Sequence, residues 1–114
     1  MEKVLEKQVI EDISVFKFNN VKRFNIILAD QVKTEIINCI KSGCKKVIFN
    51  FQDVSFIDSS GFGALVAIYS FAKENQAKFK LCNISKEAME LVIVTKLDHV
   101  FEIHATIEEC IKSF

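Results

Sequence analysis

The run Val47-Ile48-Phe49, with Phe51 two residues beyond it, lies between two stretches of helical periodicity, and that arrangement limits the folds open to the chain. A nearly continuous apolar strand is stable where its sheet is covered on both faces. On the N-terminal side Leu28, Ala29, Val32, Ile36, Ile37 and Ile40 recur at three- and four-residue intervals, with Asp30, Lys33, Glu35 and Lys41 opposite them. This predicts an amphipathic helix over 26–42. Gly43 closes it, because a glycine just past the last turn takes up the left-handed conformation that satisfies the final carbonyls. On the C-terminal side Phe62, Leu65, Val66, Ile68, Tyr69 and Ala72 predict a second helix from about Ser60 to Asn75. Helices on either side of a buried strand require crossovers, and crossovers favour parallel central strands.

The remaining segments extend this layer. Val4–Ile10 and Ile13–Phe18 read as two strands of an antiparallel hairpin reversed at Glu11-Asp12, and 19–25 reads as an asparagine-rich loop. Lys78-Phe79-Lys80-Leu81-Cys82 alternates polar and apolar residues, the pattern of a strand covered on one face. Ser85 is an N-cap for a short third helix carrying Glu87, Ala88, Leu91, Val92 and Val94. A turn at 95–98 and a brief strand over 100–103 follow. Thr106 with Glu109 is a capping box opening a last helix that runs to Phe114. The fold class is α/β: one domain over 1–114, a mixed sheet of four or five strands, an N-terminal hairpin and about four helices.

Charge excludes several functions. Lys+Arg and Asp+Glu both total 15, and no long run of one sign offers the footprint that nucleic acid or an anionic membrane surface selects. No apolar run approaches the ~20 residues that span a bilayer, and the charged opening Met1-Glu2-Lys3 leads into no signal-type segment, so a cytoplasmic location without membrane insertion is expected. The four cysteines form no Cys-x-x-Cys pair, and His99 and His104 lie outside metal-ligand spacings. Neither a metal nor a cofactor is expected. The cysteines read as reduced thiols, Cys39 and Cys82 as small buried hydrophobes.

Polar residues cluster where the buried strand hands over to the second helix, at Asp58-Ser59-Ser60-Gly61-Phe62-Gly63. Asp58, Ser59 and Ser60 are all types that cap helices. Gly61 and Gly63 each cost roughly 1 kcal/mol in a helix relative to alanine, which points to close backbone approach in the first turn. A helix N-terminus also seats anions, including a phosphate carried by a serine of that turn. A serine hydrolase is the enzymatic rival, but Ile57-Asp58-Ser59-Ser60-Gly61 lacks the glycine two before the nucleophile that a strained elbow uses. His99 or His104 would have to serve as its base.

The stretch from Asn50 through Gln52-Asp53-Val54-Ser55-Phe56-Ile57 to Asp58-Ser59-Ser60-Gly61-Phe62-Gly63 resembles the signature of the STAS domain family, in particular the bacterial anti-sigma factor antagonists. The match is dense from Val47 to Val66, and the order of elements over nearly the whole chain is similar to that family. The resemblance implies a single STAS domain that is not an enzyme. It implies that Ser59 is phosphorylated by an anti-sigma factor with serine kinase activity. The unphosphorylated protein would bind that partner and free a sigma factor, and a metal-dependent serine phosphatase would restore binding. Asn25, Asp58, Ser59, Ser60, Gly61 and Phe62 are the implied contact residues, with Ser60 the other candidate for modification. Phe24 and Phe62 are candidate aromatic anchors if exposed, and core residues otherwise. One departure stands out: where the family often carries an aspartate before the first helix, this chain has Lys22-Arg23-Phe24-Asn25. Asn25 takes the aspartate's place or simply caps the helix. The alternative is a STAS docking module, never phosphorylated, of a larger signalling assembly or a membrane lipid transporter.

Overall fold

In the computed structural model, residues 4–114 are described, and the charged opening Met1-Glu2-Lys3 lies outside them. Strand β1 (Leu5–Ile10) pairs antiparallel with β2 (Ile13–Phe18) in the expected hairpin. β3 (Arg23–Phe24) and α1 (Ile26–Lys41) follow, then β4 (Lys46–Asn50), β5 (Phe56–Ile57) and α2 (Ser59–Glu74). The chain continues through β6 (Lys78–Cys82), α3 (Lys86–Val94), a 3-10 turn (Leu97–His99), β7 (Glu102–His104) and α4 (Ile107–Lys112). Five strands form one sheet in the order β1-β2-β4-β6-β7, parallel except for the hairpin. β4 sits at its centre, as an apolar run between helices requires.

The sheet's two faces are covered unequally. One face carries the large core, where Phe16, Phe18, Val47, Phe49, Phe79 and Leu81 belong to the same buried cluster as residues of α1, α2 and α3. Phe18, Phe24, Phe49 and Phe51 meet there ring to ring, with Phe49 and Phe51 stacked at 4.4 Å. Such aromatic pairs contribute about 0.5–1.5 kcal/mol beyond their area. The other face is smaller, with Ile13, Val15, Ile48 and Cys82 packed against Cys110 of α4 and flanked by Ile107, Ile111 and Phe114.

That second layer overturns one expectation. The alternation in β6 predicts a strand open on one side, yet Lys80 is only 4% exposed. Its ammonium donates to the Ser113 carbonyl at 3.0 Å and hydroxyl at 2.8 Å, pairs with Glu102 at 2.9 Å and lies 4.1 Å from the Phe114 ring centroid. The C-terminal residues fold back over the lysine and supply its partners, without which burying an ammonium would be prohibitive.

Smaller differences have local causes. Residues 23–24 are not loop but strand, because they pair with β5. The last strand begins at Glu102, not at Val100. α4 stops at Lys112, with Ser113 as its C-cap. Val94, the last residue of α3, is exposed. Caps fall where the residue types put them, with the Ser85 and Thr106 hydroxyls accepting from the amides of Ala88 and Glu109.

Candidate functional site

The site is assembled by the two shortest strands. Arg23–Phe24 runs parallel to Phe56–Ile57, with Ser55 N–H donating to the Lys22 carbonyl at 2.9 Å and Asp58 N–H to the Phe24 carbonyl at 3.1 Å. This ladder zips together the segments that enter α1 and α2. The two helices therefore begin side by side, at the carboxyl end of β4 where open α/β sheets present their ligand sites.

Two side chains close these helix starts. Asn25, extended at φ −129°, caps α1 by accepting from Ile27 N–H at 3.1 Å. Asp58 caps α2 by accepting from Gly61 N–H at 2.9 Å through Oδ1, while its Oδ2 accepts from Ile26 N–H of α1 at 3.1 Å. One carboxylate thus serves the positive ends of both helix dipoles.

Ser59 is the first residue of α2 and is exposed. Ser60 is half-buried and lines a shallow cleft of about 260 Å³ between the helix starts, together with Ile26, Asp30, Lys33 and Gly63. Lys33 is already engaged with Asp30 at 3.8 Å. Neither serine is hydrogen-bonded to a histidine among the described residues; His104 pairs with Glu102 at 2.6 Å and His99 with Asp98 at 3.8 Å.

The two glycines divide. A Cβ on Gly61 would lie 2.7 Å from the Phe24 carbonyl oxygen and 2.9 Å from Ile57 Cγ2, whereas one on Gly63 would meet nothing within 4 Å. The expected close approach is therefore real at Gly61, and it is the chain's own ladder that approaches. Gly63 is open.

Phe24 and Phe62 are not surface anchors. Phe24 is fully buried and Phe62 is 7% exposed, because both side chains lie in the main core. The apolar surface comes instead from Ile26 and Ile27, 70% and 81% exposed at the start of α1. Phe56 is also partly exposed, beneath the Arg23 guanidinium at 5.2 Å. Periodicity alone did not single out these isoleucines. The signal was available, since four consecutive apolar residues, Ile26-Ile27-Leu28-Ala29, cannot all face the core from one amphipathic helix.

A paired helix start presented at the end of a parallel sheet, with serines behind a capping aspartate, is the arrangement on which known proteins can be compared. The family model of the STAS domain matches residues 5–110, and the chain belongs to that family. The anti-sigma-B factor antagonist of Bacillus subtilis (strain 168) is 28% identical over 102 residues, 90% of each chain. Among solved structures, the anti-sigma-factor antagonist (STAS) domain protein of Planctomyces limnophilus superposes with a TM-score of 0.84 at 23% identity, over 96% of this chain and 95% of that one. The Bacillus cell fate determinant SpoIIAA in its phosphorylated form gives a TM-score of 0.72 at 22% identity, covering 96% and 97%. At these identities the two structures speak to the fold alone. Among the described residues no helix is long and apolar enough to cross a membrane.

Proposed function

We propose that this chain, acting as a single STAS domain over 1–114, is an anti-sigma factor antagonist switched off by phosphorylation of Ser59. The observation that carries the reading is the position of Ser59. It is exposed, it follows the capping Asp58, and it shares the paired helix start with exposed Ile26 and Ile27. The unphosphorylated domain docks an anti-sigma factor with serine kinase activity on this surface and releases a sigma factor. Ile26 and Ile27 supply apolar contact, and Asn25, Ser59 and Ser60 supply the polar rim. Gly61 and Phe62 act from beneath, by fixing the turn. The domain is a kinase substrate and a binding partner, with no catalysis of its own.

The electrostatics suit a switch at the interface. A phosphate adds roughly −1.5 to −2 charges at pH 7. Both helix starts already hold the Asp58 carboxylate, and the Gly61 amide is already donated to it. The incoming phosphate therefore meets a like charge where a bare N-terminus would welcome it, and it must be desolvated if a partner covers it. The fold, anchored by the core below, keeps its cap. A metal-dependent serine phosphatase resets the state.

Intact-mass and phosphopeptide analysis of the protein recovered from its own cells tests this. The expected result is one added phosphate, about 80 Da, localised to Ser59 and absent in Ser59→Ala, with an anti-sigma factor co-purifying only with the unmodified form. Complete absence of phosphate across growth and stress conditions would overturn it. That outcome would favour an unmodified docking module of a larger assembly or transporter, a reading supported by Asn25, which stands here as a neutral cap.

A further inference from the structure

The opposite end of α1 carries a second chemically distinct place. The helix ends in a paired cap: Gly43 N–H donates to the Ile40 carbonyl at 3.0 Å, and Cys44 N–H reaches back to the Cys39 carbonyl at 3.2 Å, with Gly43 at φ +116°. This geometry brings the side chain of the last-turn residue against that of the second residue past the cap, a contact usually made by two hydrophobes. Here both are cysteines: Cys39 lies in the main core, and Cys44 packs against that core from its edge.

The two sulfurs see different surroundings. Cys39 is buried in the core, whereas Cys44 is half-buried and opens onto a cleft of about 400 Å³ lined by Lys7, Asp12, Ser14, Ser42, Lys45 and Lys46. Ser14 Oγ donates to Cys44 Sγ at 3.3 Å. Asp12 is paired with Lys46 at 2.9 Å, and Lys45 donates to the Asn75 carbonyl at 2.8 Å. Burial raises the Cys44 thiol's pKa, but hydrogen bonds from Cys39 and Ser14 and the Lys7 charge outweigh it and leave the thiol below its ordinary value. Burial pushes the Cys39 thiol up, and its bond to Cys44 adds to that. An accessible, more acidic thiol thus sits across the cap from a sheltered, less acidic one.

We infer that Cys39 and Cys44 form a peroxide-reactive dithiol, with Cys44 as the attacking sulfur and Cys39 as the resolving one. In the first step the Cys44 thiolate attacks one oxygen of a small hydroperoxide. The O–O bond breaks, the distal oxygen leaves as water or alcohol after taking a proton, and Cys44 becomes a sulfenic acid. In the second step Cys39 attacks the Cys44 sulfur. The S–S bond forms as the S–O bond breaks, and the departing hydroxide leaves as water with the Cys39 proton. Two thiols have then given two hydrogens and two electrons to the peroxide. The cap already holds the two backbones together at the end of α1, so the disulfide has only a short, fixed loop to close.

The other thiol pair marks the contrast. Cys82 and Cys110 also share one cluster, but both are fully buried between β6 and α4. Proximity is shared by both pairs; only Cys44 adds access. The site is separated from Ser59 by the length of α1, roughly 24 Å at 1.5 Å per residue, so its chemistry stands independently of the docking surface.

Mass spectrometry of the folded full-length protein after treatment with hydrogen peroxide and alkylation in denaturant tests the inference. The expected result is a loss of about 2 Da, with tryptic fragment 34–41 joined to fragment 42–45, while Cys82 and Cys110 remain alkylatable. In Cys39→Ala the sulfenic acid is trapped by dimedone at Cys44, and in Cys44→Ser no label appears at position 39. Four alkylatable thiols in the oxidant-treated wild-type protein, or a bridge between Cys82 and Cys110 in its place, would overturn the inference. A dimedone adduct on Cys39 in Cys44→Ser, with circular dichroism unchanged, would overturn the assignment of Cys44 as the attacking sulfur.

Discussion

The starts of α1 and α2 lie side by side and are built in opposite ways. α2 begins with a charged cap whose two oxygens serve both helices, a sealed glycine and an exposed serine. α1 begins with a neutral cap that serves only its own helix, followed by two exposed isoleucines. The difference separates two jobs that one helix start cannot combine. Fixing geometry calls for small residues and a firm cap, whereas offering contact area calls for large apolar side chains left uncovered. The ladder of β3 and β5 lets one helix do the first while its neighbour does the second.

If that division holds, the heaviest damage comes from Gly61→Ala. The new methyl would press on the Phe24 carbonyl, which already accepts from Asp58 N–H in the ladder. Backbone has little freedom to yield there. Overpacking costs about 1–3 kcal/mol and sometimes more, and against unyielding backbone the upper end applies; after the roughly 1 kcal/mol gained from alanine's helix preference, a net loss of about 2 kcal/mol is expected by denaturant unfolding. A loss below about 0.5 kcal/mol would mean that the ladder is soft and does not set the helix spacing.

The two caps come next, and they differ in reach. Asp58→Ala removes bonds to Ile26 and Gly61 together, with an expected cost of about 1.5 kcal/mol, above the typical value for a lost cap. Asn25→Ala removes one bond, to Ile27, at about 1 kcal/mol. Amide hydrogen exchange resolves the difference better than stability does. Asp58→Ala should speed exchange at Ile26 and Gly61 alike, whereas Asn25→Ala should affect α1 alone. Unchanged exchange at Ile26 in Asp58→Ala would break the claim that one carboxylate couples both helices.

Much of this arrangement was legible in the sequence, for reasons that are local. Helical periodicity, the Gly43 stop and the Asp58, Ser85 and Thr106 caps all act within a few residues, and the apolar run at β4 announces burial without needing its partners. The features that escaped depend on distant chain. A two-residue strand such as Arg23–Phe24 has no period to detect and exists only because Phe56–Ile57 lies beside it. Lys80 reads as solvent-facing until Ser113, Phe114 and Glu102 close over it. Phe24 reads as a loop aromatic and is core for the same reason, since the ladder draws it onto the Phe18, Phe49 and Phe51 rings. At the site itself, residue types located the caps and serines. Which side chains stay exposed was decided by tertiary packing.

The smallest effect on stability, and the one that most sharpens the contrast between the helix starts, is expected from Gly63→Ala. Its Cβ would point into open space and the helix would lose its least favourable interior residue, so stability should rise by about 0.5–1 kcal/mol. A residue that could be improved so cheaply is held for another reason. Gly63 lines the cleft beside Ser60, Ile26 and Lys33, where a docking partner would approach the backbone of α2. The substitution should therefore weaken capture of the anti-sigma factor while the unfolding midpoint goes up, a dissociation that simple helix damage cannot produce. Equal affinity in a more stable Gly63→Ala protein would place the docking face on α1 alone and leave α2 only the serine.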